Sequence, residues 1–257
     1  NITVSGYYSR NPESSKEAAA FTNTKYYNDL SEIINESDTL FLTIPDGEIP
    51  EVYSKIIQSD ISGKCIAHCS GALSSGVFFD IGSKGAKGCS VHPICAVSSK
   101  YTGYHDLSKA YFTVEGECAE TMAELLRSCG NTVERISAEN KVKYHAAAVF
   151  ASNLVTGLYD ISVDLLKDCG LSDVFSEKAF KTLFLGNATN IAATGSVDSL
   201  TGPVERADCD TVRKHLESLQ GSNKLIYMLV SRSLINVAMR KNPDRDYSGL
   251  YEMLTES

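Results

Sequence analysis

Short apolar segments alternate with helical patterns through the first half of the chain. Segments rich in β-branched and aromatic residues resemble strands, and the patterns between them repeat with helical period. Short strands that alternate with helices of about ten residues are typical of right-handed βαβ units and a parallel sheet. The strand-like segments are residues 2–8, 39–44, 65–68, 88–91, 111–114 and 132–136, with helical patterns at 15–21, 49–58 and 118–129.

After residue 136 the strand-like signal disappears and long helical patterns replace it. They cover residues 138–167, 172–193, 208–219, 222–240 and 247–254. The change of period occurs without a flexible linker. We therefore predict two domains: an α/β Rossmann-like domain at residues 1–136 and an all-helical domain at residues 137–257.

Composition limits the classes of function. With 43% hydrophobic and 22% charged residues, the 257-residue chain has the composition of a soluble globular protein. No apolar run approaches the roughly 18 residues of a membrane span, so we predict no membrane association. The net charge of −8 argues against nucleic-acid binding, which depends on clustered Lys and Arg. Eight scattered Cys in a chain of this size indicate reduced thiols and a cytoplasmic location.

The helical pattern at residues 138–167 carries polar residues on an otherwise largely apolar circumference. At roughly 100° per residue, Lys141, His145 and Ser152 fall within about 40° of one another, and Asn153 lies about 120° from Lys141. Polar side chains on a buried helix need partners or a ligand. We therefore take Lys141, His145 and Asn153 as candidate catalytic residues and Ser152 as a candidate substrate contact.

The predicted strands end in polar loops. In open sheets of this kind, ligands bind beyond the carboxyl ends of the strands. An Arg at the end of the second strand accommodates the 2′-phosphate of NADP, so Arg10 favours NADP over NAD; the alternative is a solvated turn residue. The candidate cofactor contacts are Ser9, Arg10, Ile44, Pro45, Asp46, Ser70 and Gly71, and His92 and Pro93 are candidate substrate contacts.

The phosphate-binding motif G-x-G-x-x-G does not occur in the sequence. If residues 2–8 form the second strand of a dinucleotide-binding fold, about 20 to 30 residues of a βαβ unit are expected upstream. The sequence therefore predicts the nicotinamide side of such a site more fully than its pyrophosphate side.

Two other segments could carry chemistry. Cys89, His92 and Cys95 have ligand-like spacing, but Cys in predicted strands serves as a small hydrophobe, and we predict no metal site. The polar loop at 199–208 is either a connector with Asp208 as helix cap or a substrate loop carrying Thr201 and Arg206.

Several motifs together resemble a known group of proteins. They are YSRNPES at 8–14, FLTIPD at 41–46, HCSGALS at 68–74, VHP at 91–93, KYHAAAVFASN at 143–153 and LTGP at 200–203. The chain resembles a Rossmann-fold NAD(P)-dependent oxidoreductase-like family, related to 6-phosphogluconate dehydrogenase, 3-hydroxyacid dehydrogenases and pyrroline-5-carboxylate reductase. The resemblance implies a Rossmann domain, a 6-phosphogluconate dehydrogenase-like helical domain that dimerises in many relatives, and an active site in the cleft between them.

In the better-understood dehydrogenases of this group, a Lys-x-x-x-Asn motif supplies an acid/base Lys and a substrate-orienting Asn. The matching positions here are Lys141 and His145. His in place of Asn leaves open which of the two exchanges the proton. We expect NADP-dependent hydride transfer involving a small carbonyl or imine substrate in a homodimer. The alternative is a protein that binds a dinucleotide or metabolite without turning it over.

Overall fold

The computed structural model describes residues 2–97 and 99–255 and divides into two compact units, Asn1–Leu154 and Val155–Ser257. The division falls later in the chain than the change of sequence pattern at residue 136. The strands of the first unit are β1 (Gly6–Tyr8), β2 (Lys25–Tyr27), β3 (Thr39–Leu42), β4 (Cys65–His68), β5 (Lys87–Ile94), β6 (Tyr111–Gly116) and β7 (Thr132–Arg135).

The first unit also contains helices around these strands. They are α1 (Pro12–Thr22), α2 (Leu30–Glu36), α3 (Ile49–Ile56), α4 (Gly103–Leu107), α5 (Ala119–Ser128) and α6 (Lys141–Ala151). Helix α1 begins where it does because the Asn11 side chain accepts a hydrogen bond from the backbone N–H of Glu13 and Pro12 fits the first turn. The sequence pattern did not predict β2, α2 or α4, which are at most seven residues long.

Two sheets are present among the described residues. β1 pairs with β2 in parallel, and the second sheet has the order β3-β4-β5-β6-β7. Its pairs are parallel except β5 with β6, which run antiparallel. The prediction of an α/β Rossmann-like fold followed by helices is thus confirmed, with one antiparallel pair in a sheet predicted to be parallel.

Apolar side chains cover both faces of the five-stranded sheet. Successive strand residues point to opposite faces, so Ile66 and Ala67 of β4 belong to different clusters. On one side Ile66 packs in a cluster with Tyr53 of α3, and on the other Ala67 packs in a cluster with Met122 of α5. This two-sided burial explains why Ile66 and Ala67, which face opposite sides of the sheet, are both apolar.

The prediction that His92 and Pro93 form a strand-ending loop was wrong. β5 continues to Ile94, because His92 pairs with Thr113 and Pro93 with Phe112 of β6. β4 pairs with β5 only as far as Ser90, so Pro93 lies where one side of the strand has no partner. Proline is tolerated there because it interrupts no hydrogen-bond ladder on that side.

The second unit is helical. Its core includes Val212, Met228 and Ile235 from two different helices. The predicted helix at 138–167 breaks at Ser152 (φ −130°, ψ −82°), and the one at 172–193 breaks at Phe180. The helices are α7 (Asn153–Asp168), α8 (Asp173–Ala179), α9 (Lys181–Ser199), α10 (Cys209–Ser218), α11 (Gly221–Lys241) and α12 (Ser248–Met253).

The stretch Ala138–Asp168 corrects the prediction that no segment is apolar enough to cross a membrane. Among the described residues it meets that condition by length and composition, since it has 31 residues and contains an 18-residue window of mean hydropathy 1.3. This is weak evidence for a span, because the helix is interrupted at Ser152 and Lys141 near its start is buried in the first unit. Most of the stretch is exposed, so it carries apolar surface that the described part of the chain leaves uncovered.

The prediction that all cysteines are reduced was also wrong. A disulfide joins Cys65 in β4 to Cys118 at the start of α5, with their Cα atoms 6.5 Å apart. The residues are 53 positions apart in the chain, and only the pairing of the strands brings them together. The sulfur of the buried Cys89 lies within 4.8 Å of both.

Candidate active site

Lys141 links the loop after β4 to the middle of β5. Its ammonium donates hydrogen bonds to the Ser70 carbonyl oxygen at 2.9 Å and to Ser90 Oγ at 2.6 Å. Ser90 in turn donates to the same carbonyl at 3.2 Å. Lys141 is 1% exposed. The polar residue that begins α6 therefore anchors the helix to the loop after β4.

That loop is a tight turn whose polar groups are satisfied internally. Ser70 Oγ donates to the Asp46 carboxylate at 2.7 Å and accepts the backbone N–H of Leu73 at 2.9 Å. The buried His68 accepts the Ser70 N–H through Nδ1, and its Nε2 lies 3.2 Å from the Ser74 carbonyl. Sequence reasoning chose Ser70 and Asp46 but missed His68, which holds both ends of the turn.

Gly71 lies against two imidazole rings. A Cβ atom at this position would be 2.6 Å from His145 Nδ1 and 2.8 Å from His92 Nε2, which is closer than any side chain tolerates. The two rings are perpendicular, with centroids 6.2 Å apart. Glycine is therefore required here by close approach.

His145 has one buried nitrogen. Nδ1 is buried and has no hydrogen-bond partner among the described residues. The residue as a whole is only partly buried, and Nε2 is not among the buried unpartnered atoms. The accessible edge of the ring is therefore the one that carries Nε2.

Tyr144 is a member of the site that sequence reasoning missed. Its hydroxyl lies 2.7 Å from His92 Nδ1, and its ring meets the His92 ring edge to face. Burial raises the pKa of Tyr144, so the phenol stays protonated at neutral pH. The signal that could have found it is its place in KYHAAAVFASN beside His145.

The site keeps His92 and Lys141 in a desolvated environment. Burial, followed by the nearby Lys141 ammonium, lowers the pKa of His92 from 6.5 to about 4. Burial also lowers the pKa of Lys141, while the Glu115 and Asp46 carboxylates raise it. Perturbed groups concentrated in one place are typical of functional sites.

The other predicted catalytic-helix residues lie apart from this network. Ser152 and Asn153 fall at the break between α6 and α7, where Ser152 Oγ donates to the Ala148 carbonyl at 2.7 Å and lies 3.1 Å from Asn153 Oδ1. The assumption of one continuous helix, which put Ser152 on the Lys141 face, was therefore wrong. Both side chains are exposed.

Thr201 and Arg206 belong to the second unit, in the segment before α10. Arg206 lies 4.0 Å from the Asp208 carboxylate. Asp208 caps α10 by accepting the Thr211 N–H at 3.0 Å, as the connector alternative predicted. Thr201 is exposed.

The residues predicted to hold a dinucleotide lie at the carboxyl ends of β1, β3 and β4. The Arg10 side chain is 89% exposed and forms an ion pair with Glu48 at 3.3 Å. It follows β1 directly and stands before α1, while Ser9 Oγ accepts the Asn11 N–H. An exposed guanidinium beside a helix N-terminus fits a phosphate group.

The loops predicted to border the nicotinamide follow β3 and β4. Ile44 packs against the core cluster of β3, Pro45 follows it, and Asp46 is tied to Ser70. The chemistry of these residues fits a nicotinamide dinucleotide.

Two domain families match the chain. Residues 3–93 match the Rossmann-like domain, and residues 110–234 match a domain of unknown function, DUF2520. No curated protein matches the chain.

Solved structures share its fold. Protein TM1727 from Thermotoga maritima is 25% identical, covering 91% of this chain and 90% of its own, with a TM-score of 0.74. Protein BF3122 from Bacteroides fragilis is 22% identical, covering 90% and 87%, with a TM-score of 0.66. The pyrroline carboxylate reductase of Plasmodium falciparum, with NADP bound, is 13% identical, covering 96% and 85%, with a TM-score of 0.54. The chain therefore combines a Rossmann-like domain with a DUF2520 domain, in the architecture that its resemblance to Rossmann-fold NAD(P)-dependent oxidoreductase-like proteins predicts.

Proposed function

We propose that the protein is an NADP-dependent oxidoreductase acting on a small carbonyl or imine compound. The observation that carries the proposal is the arrangement around Gly71: His145 has a buried, unpartnered nitrogen against the glycine and an accessible edge carrying the other. His92, Tyr144 and the buried Lys141 ammonium surround it. A protein that only needed a packed helix would have apolar residues at these positions.

The comparisons support the class of reaction at the level of the fold. A protein of the same architecture, the pyrroline carboxylate reductase described above, holds NADP. Fold alone does not dictate activity, so the choice rests on the site. An imine or carbonyl carbon is the chemical group that a nicotinamide can reduce with help from one hydrogen-bond donor.

Each residue has a defined part in the proposal. NADP supplies or accepts the hydride when bound. Arg10 contacts the 2′-phosphate, and the loops containing Pro45 and Ser70 border the nicotinamide. His145 meets the substrate oxygen or nitrogen, where charge changes during reduction.

His145 is better suited than Lys141 to meet the substrate. The Lys141 ammonium is buried and donates to Ser70 and Ser90, so a substrate atom could reach it only by displacing these partners. Its charge still acts on the site, because the desolvated environment screens it weakly. Lys141 is therefore a positioning residue for the Ser70–Gly71 turn.

NADPH oxidation over a panel of small keto acids and cyclic imines tests the proposal. We expect His145→Ala to lower turnover by about 100-fold, the usual cost of losing one donor to a developing charge. His105→Ala, at an exposed histidine of the same unit, is the matched control and should leave turnover unchanged. NADPH binding without oxidation of any substrate would favour the binding-protein alternative, and equal turnover of both variants would contradict the role of His145.

Cofactor preference has its own test. Arg10→Ala should weaken NADPH binding by about tenfold or more and leave NADH binding unchanged, because only NADPH carries the 2′-phosphate. Lys16→Ala, at an exposed lysine of α1, is the control for a lost positive charge. An equal loss of affinity for NADPH and NADH would show that Arg10 does not contact the 2′-phosphate.

A further inference from the structure

We infer that Gly71 fixes the tautomer of His145, so that its imidazole carries the proton on Nε2 and acts as a neutral hydrogen-bond donor. The inference deepens the proposed function, on which its catalytic part rests. The tautomer itself depends only on the geometry of the first unit.

The buried edge of the ring determines the tautomer. A neutral imidazole places its single proton on one nitrogen and a lone pair on the other. A proton on Nδ1 would point at the Cα–H of Gly71, where the described residues offer it no acceptor. A buried donor without an acceptor is costly, whereas a lone pair facing a Cα–H makes a weak favourable contact.

The titratable groups around the Gly71 turn do not change the preference of His145 for a proton on Nε2. Titratable groups around the Gly71 turn include Lys141 and Tyr144 on α6, His92 on β5, Asp46 beyond β3, and His68 and Cys69 at the end of β4. Lys141 donates to Ser70 and Ser90, Asp46 accepts from Ser70, and Tyr144 pairs with His92 Nδ1. None of them accepts a hydrogen bond from His145 Nδ1 among the described residues.

The tautomer defines the chemistry that His145 can perform. With Nδ1 held as a lone pair against Gly71, the ring presents an Nε2–H to the substrate oxygen or nitrogen. Such a neutral imidazole stabilises developing negative charge by hydrogen bonding, and losing its only proton would produce an unfavourable imidazolate. His145 is thus a polarising donor, and the proton that completes the reduction comes from another source, such as solvent.

Long-range ¹H–¹⁵N correlation spectra of histidine-labelled protein at neutral pH, without ligand, test the tautomer. His145 should show an unprotonated Nδ1 and a protonated Nε2, with its signals assigned by their loss in His145→Gln. The exposed His105 is the internal control and should show averaged tautomers. A protonated Nδ1, or averaging at His145 like that at His105, would overturn the inference even if the enzyme is active.

Two substitutions at His145 test the catalytic role of its Nε2–H separately from the tautomer. The amide nitrogen of Gln reaches the Nε2 position of a histidine and that of Asn the Nδ1 position. His145→Gln should therefore retain at least about tenfold more turnover than His145→Asn. Equal loss in both variants, with the expected tautomer seen by NMR, would overturn the catalytic part alone; absence of turnover in the wild type would instead count against the proposed function.

Discussion

At the scale of single residues, the site depends on close approach rather than on a sequence motif. Gly71 has no side chain, so two imidazole rings fit against it. The Lys141 ammonium is removed from water and makes two buried hydrogen bonds instead. Burying an ammonium is costly unless its donors are satisfied. The cost is consistent with a residue that fixes the geometry of its neighbours.

Replacing Lys141 should loosen the turn after β4. Lys141→Met keeps the volume of the side chain but removes its bonds to the Ser70 carbonyl and Ser90 Oγ, so the backbone of residues 69–75 should exchange deuterium faster. Hydrogen-exchange mass spectrometry measures this. Lys143→Met, at an exposed lysine of the same helix, should leave the exchange unchanged; matched exchange in both variants would contradict the anchoring role.

His92 should make stability depend on pH. Its folded pKa of about 4 lies below the ordinary 6.5, so between these values the unfolded chain binds a proton that the folded protein does not. The contribution of His92 to the free energy of unfolding is fully present above pH 6.5. It decreases as the pH drops towards 4, by up to about 3 kcal/mol. Urea unfolding across this range should show a shallower slope for His92→Gln than for wild type. An unchanged slope would show that His92 is not the group responsible, and His105→Gln is the control.

At the scale of elements, the strands bring distant residues to one end of the sheet. The carboxyl ends of β3 and β4 place Asp46 against Ser70, and α6 crosses them with Lys141, Tyr144 and His145. The break at Ser152 limits this functional helix to α6. The disulfide between Cys65 of β4 and Cys118 before α5 joins the sheet to this helix layer, in addition to their apolar contacts.

The Cys65–Cys118 disulfide should stabilise the first unit. Closing a chain segment of 53 residues lowers the entropy of the unfolded state, which corresponds to at most about 4 kcal/mol. Reductant should therefore lower the urea midpoint of the wild type. The double variant Cys65→Ala/Cys118→Ala should be insensitive to reductant, and wild type that unfolds at the same midpoint with and without reductant would show that the bond contributes nothing.

At the scale of the whole molecule, uncovered apolar surface on the helices is the main feature left without a partner. Leu183 of α9 and Leu229 of α11 are 66% and 61% exposed, and Val174 of α8 is 64% exposed. Exposed apolar residues grouped on helices are typical of protein interfaces. We propose that a second copy of the chain covers them.

Molar mass in solution tests this assembly. Light scattering should give twice the mass of one chain for the wild type, and Leu183→Glu should shift the protein towards the monomer, because a carboxylate in an apolar interface is strongly unfavourable. Lys214→Glu, at an exposed position of α10, controls for the change in charge. A monomeric wild type would contradict the proposal.

The sequence by itself determined the α/β-then-helical order, and it identified Lys141, His145, Ser70 and Asp46 as candidate site residues. These follow from hydrophobic period and from residue chemistry, which are local properties of the chain. It could not show the helix break at Ser152 or the continuation of β5 through Pro93. Both depend on which backbone groups the neighbouring elements leave without a hydrogen-bond partner.

Only the tertiary structure decided which polar residues meet. Tyr144 and His68 joined the site, Cys65 met Cys118, and Lys141 proved to be buried, because strand pairing sets distances between residues that are dozens of positions apart in the chain. The space around Gly71, on which the tautomer of His145 depends, is likewise a property of three packed elements. No single segment of the sequence contains that information.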